Sequence, residues 1–184
     1  MTLYGETLKV NIQKEKHFRI NSAIESHYDV VLNPYGLDHN TSFETLSVIV
    51  DNYSNEKHLA IIGQIINDDY KTAILNDCDL IMLIDSMLIV IDCKSFEVKI
   101  QKEITEGYYF SIHSFNNGYI IHGELDIIKL TSAPAFEVEW TFSGNDIFVT
   151  PDGSSSFQIN NDVIYLKDWN DKEYVVDKNG TELM

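Results

Sequence analysis

The sequence has few positively charged residues, and this shortage limits the partners that the protein can bind. It contains 13 Lys and Arg against 29 Asp and Glu, which gives a formal net charge of −16 at pH 7. Binding to nucleic acid draws its affinity from the neutralisation of phosphates by Lys and Arg. We therefore expect no nucleic-acid partner, and by the same argument no anionic membrane partner. A basic protein partner is consistent with the charge.

Cysteine, proline and long apolar runs are also scarce. Cys78 and Cys93 are the two cysteines, and they lack the Cys-x-x-Cys spacing of metal and redox motifs. Three prolines and the lack of a Ser/Gly-rich tract leave no candidate linker. The most apolar stretch, residues 80–91, is interrupted by Asp85 and is too short to span a membrane. Because no secretory signal opens the sequence, we expect a reducing, cytoplasmic setting.

What the sequence does contain is sufficient for a folded core. Its 184 residues are 44% apolar and 11% aromatic, whereas disordered chains are poor in both classes. The charge is unevenly distributed, with four bases and two acids in residues 1–20 but nine bases and 27 acids in residues 21–184. Such acidity is found in many soluble bacterial-type proteins, and it also suits a surface that binds a basic partner.

Short β-prone runs separated by turn residues indicate an all-β chain. Pairs such as Asn-Gly, Asp-Gly and Asn-Asp recur every eight to twenty residues in the C-terminal half, and they favour the tight turns of hairpins. Residues 22–33 are compatible with two structures, because Ser22 and Glu25 fit a helix-capping box while Val30 and Val31 favour a strand. Before residue 76 the predicted strands, which are less regular, are 3–12, 43–50 and 59–66, and residues 87–92 are a further β-prone run. The strands predicted for an antiparallel meander in the C-terminal half are 108–113, 119–122, 125–130, 136–142, 147–150, 157–159, 163–166 and 173–176.

A unit of about forty residues recurs in the second half of the chain. Phe96-Glu97-Val98 returns forty positions later as Phe136-Glu137-Val138, and in weaker form as Glu173-Tyr174-Val175. Each copy follows a β-prone run. A period of this length marks a supersecondary unit that buries its apolar face by stacking on a neighbour.

The last part of the chain has the closest resemblance to a known architecture. Residues 148–153 include a Pro-Asp-Gly turn, residues 157–159 supply a second strand, and residues 163–169 form a third that ends in Asp-Trp. This pattern resembles a β-propeller blade of the WD40 or PQQ type, and the resemblance covers residues 76–184. It implies that consecutive hairpins pack side by side as small antiparallel sheets.

The predicted fold class is all-β: an antiparallel meander of propeller-blade-like repeats that is not a closed ring and packs with the N-terminal strands. Two and a half to three repeats are visible, whereas propellers close with about four to eight blades. A β-sandwich is the alternative. We expect residues 1–75 to form an N-terminal β-rich segment and residues 76–184 to hold the blade-like repeats, within one compact domain overall.

Two histidines flank a predicted hairpin turn. If Asn117 and Gly118 are its central residues, His113 lies directly opposite His122, with Glu124 on the same face. Two imidazoles and a carboxylate could bind a metal ion such as zinc, or act as a general acid and base. The alternative is a polar outer face of a sheet whose inner face carries the aromatic residues. Trp140 and Trp169, farther along the chain, are expected to serve in packing.

A run of acids forms the second candidate site. Asp68, Asp69, Asp77 and Asp79 lie close together in the sequence, with only Lys71 between them. Neighbouring carboxylates could bind a cation or a basic partner. The spacing of an EF-hand loop is absent, so solvated turn acids are the alternative.

These patterns favour a non-enzymatic, acidic protein–protein interaction module, because no recognisable catalytic motif accompanies the concentrated charge. An inhibitor or immunity-type protein that neutralises a basic partner is one specific form. A metal-binding protein or enzyme that uses His113, His122 and Glu124 is the first alternative, and metal is the one cofactor considered. A small-ligand-binding protein, with its pocket between the N-terminal strands and the meander, is the second.

Overall fold

The structure is a computed structural model that describes residues 1–64, 71–105 and 107–183. Within them the regular structure consists of strands and one 3-10 turn, Glu25–His27, and no helix there is long and apolar enough to cross a membrane. The chain divides into two compact units, Met1–Ile104 and Thr105–Met184. The predicted boundary after residue 75 falls inside a strand of the first unit, and the single compact domain stays a prediction.

The first unit contains two sheets. Its strands are β1 (Thr2–Tyr4), β2 (Lys9–Glu15), β3 (Val30–Leu32), β4 (Glu44–Asp51), β5 (Glu56–Gly63), β6 (Ala73–Asn76), β7 (Asp79–Ile84), β8 (Met87–Asp92) and β9 (Val98–Glu103). The first sheet has the order β1-β2-β4-β5-β3, with β3 parallel to β5. The second sheet is the antiparallel meander β6-β7-β8-β9.

The core of the first unit lies between these two sheets. Val48 and Leu59 of the first sheet belong to the same buried cluster as Leu80 and Ile89 of the second. On the other face of the first sheet, Ala60 and Ile62 of β5 are buried in a second cluster with Phe18 and apolar residues of segment 20–43. The prediction that the N-terminal strands pack with the meander is therefore confirmed.

The second unit repeats the design with two more sheets. Its strands are β10 (Tyr109–Ser114), β11 (Gly118–Gly123), β12 (Asp126–Thr131), β13 (Val138–Ser143), β14 (Phe157–Asn160), β15 (Val163–Lys167) and β16 (Glu173–Asp177). The third sheet is the meander β10-β11-β12-β13, and the fourth is β14-β15-β16 with a bridge from Val176 to Glu182 beside it. Ile120 and Ile127 of the third sheet pack in one cluster with Ile164 and Leu166 of the fourth.

Three segments differ from the sequence-based expectation. The single strand predicted for residues 3–12 is wrong, because this segment contains two strands, β1 and β2, that pair antiparallel. Residues 22–33 hold both structures that the sequence permitted: the 3-10 turn and then β3. Ser22 does not cap this turn, because its hydroxyl donates to the Arg19 carbonyl oxygen at 2.6 Å. The strand predicted for residues 147–150 is wrong, since Ile147 N donates to the Glu124 carbonyl oxygen of a neighbouring turn and not to a strand ladder.

The forty-residue repeat corresponds to a recurring turn between the third and fourth strands of a sheet. Between β8 and β9, Asp92 N donates to the Glu97 carbonyl oxygen at 3.0 Å; between β12 and β13, Thr131 N donates to Glu137 O at 2.8 Å. The preceding phenylalanine has a positive φ in each turn, 64° at Phe96 and 50° at Phe136. The first two copies therefore share a closing hydrogen bond and a phenylalanine of positive φ, although the second turn is one residue longer.

The third copy lies at a different place from the predicted one. In the turn that follows β16, Asp177 N donates to Thr181 O at 2.9 Å, and Gly180 has a φ of 79°. Gly180-Thr181-Glu182 is thus the structural counterpart of Phe96-Glu97-Val98. Glu173-Tyr174-Val175 lies within β16, so that part of the prediction is wrong. Glu173-Tyr174-Val175 resembles the first two copies in residue type, whereas the true counterpart begins with a glycine, which adopts the positive φ that the turn requires.

Candidate functional site

The hairpin that carries the two histidines has a different register from the predicted one. Its central residues are Asn116 and Asn117, with φ of 42° and 54°, and Phe115 and Gly118 exchange two backbone hydrogen bonds around them. His113 consequently lies opposite Ile120, while Ser111 takes the place opposite His122. The predicted direct opposition of the two histidines is wrong.

The role of Gly118 explains why the predicted register of this hairpin was wrong. A Cβ atom at this position would collide with the Leu130 carbonyl oxygen and the Lys129 ammonium on the adjacent strand β12. The glycine therefore permits close approach of two strands, whereas the turn itself uses asparagines, which tolerate positive φ. The sequence motif Asn-Asn-Gly does not distinguish these two uses.

Both histidines pack against the fourth sheet. The rings of His122 and His113 lie 4.5 Å and 4.7 Å from the ring of Phe157. His122 is 4% exposed, and its Nε2 donates to the Ile147 carbonyl oxygen at 2.9 Å. Burial lowers the pKa of His122 to about 4, so the ring is neutral at pH 7. The expectation of a polar outer face is therefore wrong for His122.

The predicted metal ligands do not gather into a cluster. Glu124 is exposed just beyond the end of β11. Across residues 1–64, 71–105 and 107–183, no group of three His, Cys, Asp or Glu side chains is arranged to hold a metal ion. A site formed by His113, His122 and Glu124 stays a prediction, and the geometry gives it no support.

The acidic run divides into residues with different surroundings. Asp68 and Asp69 lie outside the described residues. Asp77 occupies the turn between β6 and β7 with a φ of 51°. Asp79 is 2.6 Å from the ammonium of Lys99, which also lies 2.8 Å from Asp92. The hydrogen bond from Lys99 lowers the pKa of Asp92 to about 2. Binding of a partner by these aspartates stays a prediction.

Asp77 also lines a cavity of the first unit. The cavity has a volume of about 580 Å³ and lies between the start of the chain and the second sheet, where the small-ligand hypothesis placed a pocket. Its lining combines two carboxylates, an ammonium and a thiol. The lining residues are Tyr4, Gly5, Glu6, Thr7, Leu75, Asp77, Cys78 and Lys94.

A third candidate site, which the sequence did not reveal, lies at one end of the second unit. Large apolar side chains are exposed there on four separate connections: Tyr108 at 56%, Leu125 at 55%, Val149 at 42% and Trp169 at 53%. The expectation that Trp169 serves in packing is therefore wrong. Trp140 does pack, with its indole N–H donating to the Lys178 carbonyl oxygen at 3.0 Å.

Backbone hydrogen bonds join these four connections. Glu124 N donates to Tyr108 O at 3.1 Å, Gly144 N to Leu125 O at 2.8 Å, and Trp169 N to Asp146 O at 3.1 Å. Val149 N completes the set by donating to the Asp146 carboxylate at 3.4 Å. We call the region formed by these connections the loop-end surface; it comprises Tyr108, Leu125, Val149 and Trp169 with the acids Glu124, Asp126 and Asp146.

A buried carboxylate fixes the turn that presents Trp169. Asp168 is 0% exposed. Its Oδ1 accepts hydrogen bonds from Asn170 N at 2.8 Å and Lys172 N at 2.9 Å, and its Oδ2 accepts one from the Tyr174 hydroxyl at 2.9 Å. Burial would raise the pKa of Asp168, but these hydrogen bonds hold it below its usual value. The turn between β15 and β16 is therefore held rigid beside the exposed indole.

The second unit is strongly anionic. It contains 13 acids and four bases in 80 residues, and all four bases are lysines. Each lysine has a carboxylate within 4 Å: Lys129 pairs with Glu139, Lys167 with Asp171, Lys172 with Glu182 and Lys178 with Asp162. The remaining acids give the unit its excess of negative charge.

Comparison with solved structures places the fold among β-propellers. The chain is 9% identical to the β-propeller domain of Cps50 (Swd1) from Myceliophteria thermophila, with a TM-score of 0.52 over 80% of this chain and 55% of that one. It is 8% identical to HIRA, with a TM-score of 0.53 over 99% of this chain and 51% of that one. The chain thus spans about half the length of both. The predicted propeller-blade-like fold is confirmed.

Sequence comparison adds no family to this structural likeness. No protein-family model matches the chain, and no curated protein matches it either. At the identities above, the likeness to solved structures concerns the fold alone.

Proposed function

We propose that this chain is a protein-interaction module whose loop-end surface binds a basic protein. One observation carries the proposal: four large apolar side chains stand exposed on mutually hydrogen-bonded connections of a unit that holds 13 acids and four bases. Scattered apolar residues are common on protein surfaces, but clustered ones with a polar rim mark interaction sites.

The chemistry of the surface specifies the kind of partner. Trp, Tyr and Leu side chains supply contact area at the centre of an interface, where a few residues provide most of the affinity. Glu124 and Asp146 add negative charge beside these anchors. We therefore expect a partner that presents apolar side chains flanked by Lys or Arg. Opposite charge raises the association rate and is screened by salt.

The blade-like fold is compatible with this role, because its turns display side chains from a rigid scaffold. An inhibitor or immunity-type function, in which the partner is a basic toxin, is a narrower form of the same proposal. A small-ligand function stays a prediction, with the 580 Å³ cavity of the first unit as its location.

The proposal predicts a specific loss of binding when the apolar anchors become acidic. We expect Leu125→Asp and Trp169→Asp each to weaken binding of a basic partner by about 30-fold or more, since a residue at the centre of an interface contributes about 2 kcal/mol or more. Partners would be captured from lysate by photo-crosslinking at position 149, identified by mass spectrometry, purified and then titrated by calorimetry at two salt concentrations.

Val138→Asp is the matched control. Val138 is exposed on β13 of the same unit and outside the loop-end surface, so its substitution adds the same charge and should change the affinity less than about twofold. Supporting results are a basic partner, an affinity that falls with salt, and losses confined to the two anchor variants. Equal losses in all three variants, or a captured partner without excess positive charge, would refute the proposal.

A further inference from the structure

The two cysteines lie side by side, Cys78 in the turn just before β7 and Cys93 just after β8, although they are 15 positions apart in the sequence. Asp79 pairs with Asp92 across β7 and β8, and at the next position Cys93 N donates to the Cys78 carbonyl oxygen at 2.7 Å. Directly paired residues of an antiparallel ladder have Cα atoms about 4.5–5.5 Å apart, and the hydrogen bond between Cys93 and Cys78 continues that pairing one step beyond the ladder. Disulfides need Cα atoms about 4.4–6.8 Å apart.

The side chains of Cys78 and Cys93 also point to the same face of the second sheet. Cys93 belongs to the core cluster between the first and second sheets, and Cys78 packs against that cluster. Both side chains therefore reach the same apolar cluster. From this juxtaposition we infer that Cys78 and Cys93 form a reversible intramolecular disulfide, with Cys78 as the site at which small-molecule disulfides react first.

The two thiols differ in access, which sets the order of events. Cys78 is half-buried and lines the 580 Å³ cavity, which is large enough for a tripeptide-sized thiol. Cys93 is 2% exposed, and burial raises the pKa of its thiol to about 12. The thiolate is the attacking species in disulfide exchange, so the more accessible Cys78 reacts with the oxidant.

The oxidant is a low-molecular-weight disulfide, and the exchange balances in two steps. The Cys78 thiolate attacks one sulfur of the small disulfide, which forms a mixed disulfide and releases one small thiol. The Cys93 sulfur then attacks the Cys78 sulfur, and its proton passes to the departing sulfur, which leaves as the second small thiol. Two electrons pass from the cysteine pair to the small disulfide, and the two cysteine protons pass to the two released thiols.

The bond would tie the β6–β7 turn to the end of β8. It would close a loop of 15 residues, which restricts the unfolded chain. We expect the melting temperature of the first unit to rise by about 5–10 °C on oxidation and to return after treatment with dithiothreitol.

The test uses the whole chain, native and reduced, incubated with oxidised glutathione and then alkylated. Trypsin releases residues 72–94 as one peptide that contains both cysteines, because Lys71 and Lys94 bound it without another base between them. We expect this peptide to lose two hydrogen atoms and to carry no alkyl group. The elution volume of the intact chain should not change.

Two variants separate the steps. Cys93→Ala should stop at the glutathione adduct on Cys78, and Cys78→Ser should leave Cys93 to be alkylated only after unfolding. Cys78 is half-buried in a turn, so its variant is expected to fold even where the Cys93 variant does not. The inference is overturned if the native chain keeps both thiols, stops at the adduct, or forms only disulfide-linked dimers.

Discussion

Replacing Asp168 by alanine is expected to destabilise the second unit by about 3–5 kcal/mol. The carboxylate is fully buried and accepts hydrogen bonds from Asn170 N, Lys172 N and the Tyr174 hydroxyl. Alanine leaves these three donors without an acceptor. The Tyr174 hydroxyl is buried and incurs its full desolvation penalty, whereas the two backbone N–H groups each lose a hydrogen bond to a charged acceptor. Because domains are stable by only about 5–15 kcal/mol, this single change should bring the unit close to unfolding.

Tryptophan fluorescence can measure the effect, since Trp140 and Trp169 both lie in the second unit. The urea midpoint of Asp168→Ala should fall far below that of the wild type. Asp168→Asn keeps an acceptor oxygen but loses the negative charge, so its urea midpoint should lie between those of the wild type and Asp168→Ala. Asp162→Ala is the matched control, because Asp162 is exposed and 3.9 Å from Lys178; we expect a change under about 0.5 kcal/mol. Similar midpoints for Asp168→Ala and Asp162→Ala would contradict the assigned role of Asp168.

The second large effect is a loss of stability in acid that originates at His122. Burial lowers the pKa of this histidine from 6.5 to about 4 in the folded chain, so between these values the unfolded chain binds a proton that the folded chain does not. Stability therefore falls as the pH decreases from 6.5 to 4. Below pH 4 the folded chain binds the proton as well, so His122 causes no further loss of stability. The loss amounts to roughly 3 kcal/mol, on the order of 1.4 kcal/mol for each pH unit.

The variant His122→Gln isolates this contribution. Glutamine keeps an N–H donor for the Ile147 carbonyl oxygen but does not titrate, so carboxylates elsewhere affect both proteins equally. Urea unfolding at a series of pH values should show the free-energy difference between wild type and variant shrinking from pH 7 to pH 4. A difference that stays constant across that range would show that His122 does not remain neutral in the folded chain.

The strands were predictable because their signals are local. Alternating apolar residues mark β13 and β14, and the turns between strands use Asn, Asp and Gly, whose tolerance of positive φ is a property of the residue itself. The strand Met87–Asp92 has the predicted bounds. The fold class followed from the same local features and from the forty-residue period.

The positions of side chains around the site were less predictable, because they depend on contacts between segments distant in sequence. Gly118 is required by the approach of β12 and not by its own turn, so the histidine register was wrong. Tryptophan is common in protein cores, but Trp169 is exposed beside the turn that the hydrogen bonds of Asp168 fix. The sequence signal for the loop-end surface was modest: Leu125 lies between the acids Glu124 and Asp126, and Trp169 directly follows Asp168.

Hydrogen–deuterium exchange of the second unit, free and bound to a basic partner, tests the central proposal most directly. Exchange should slow in residues 123–126, 144–149 and 168–172, which form the loop-end surface. It should be unchanged in the turns at 160–163 and 177–181, which lie at the other ends of β15 and β16. Protection confined to those two turns, or found only within residues 1–104, would contradict the account.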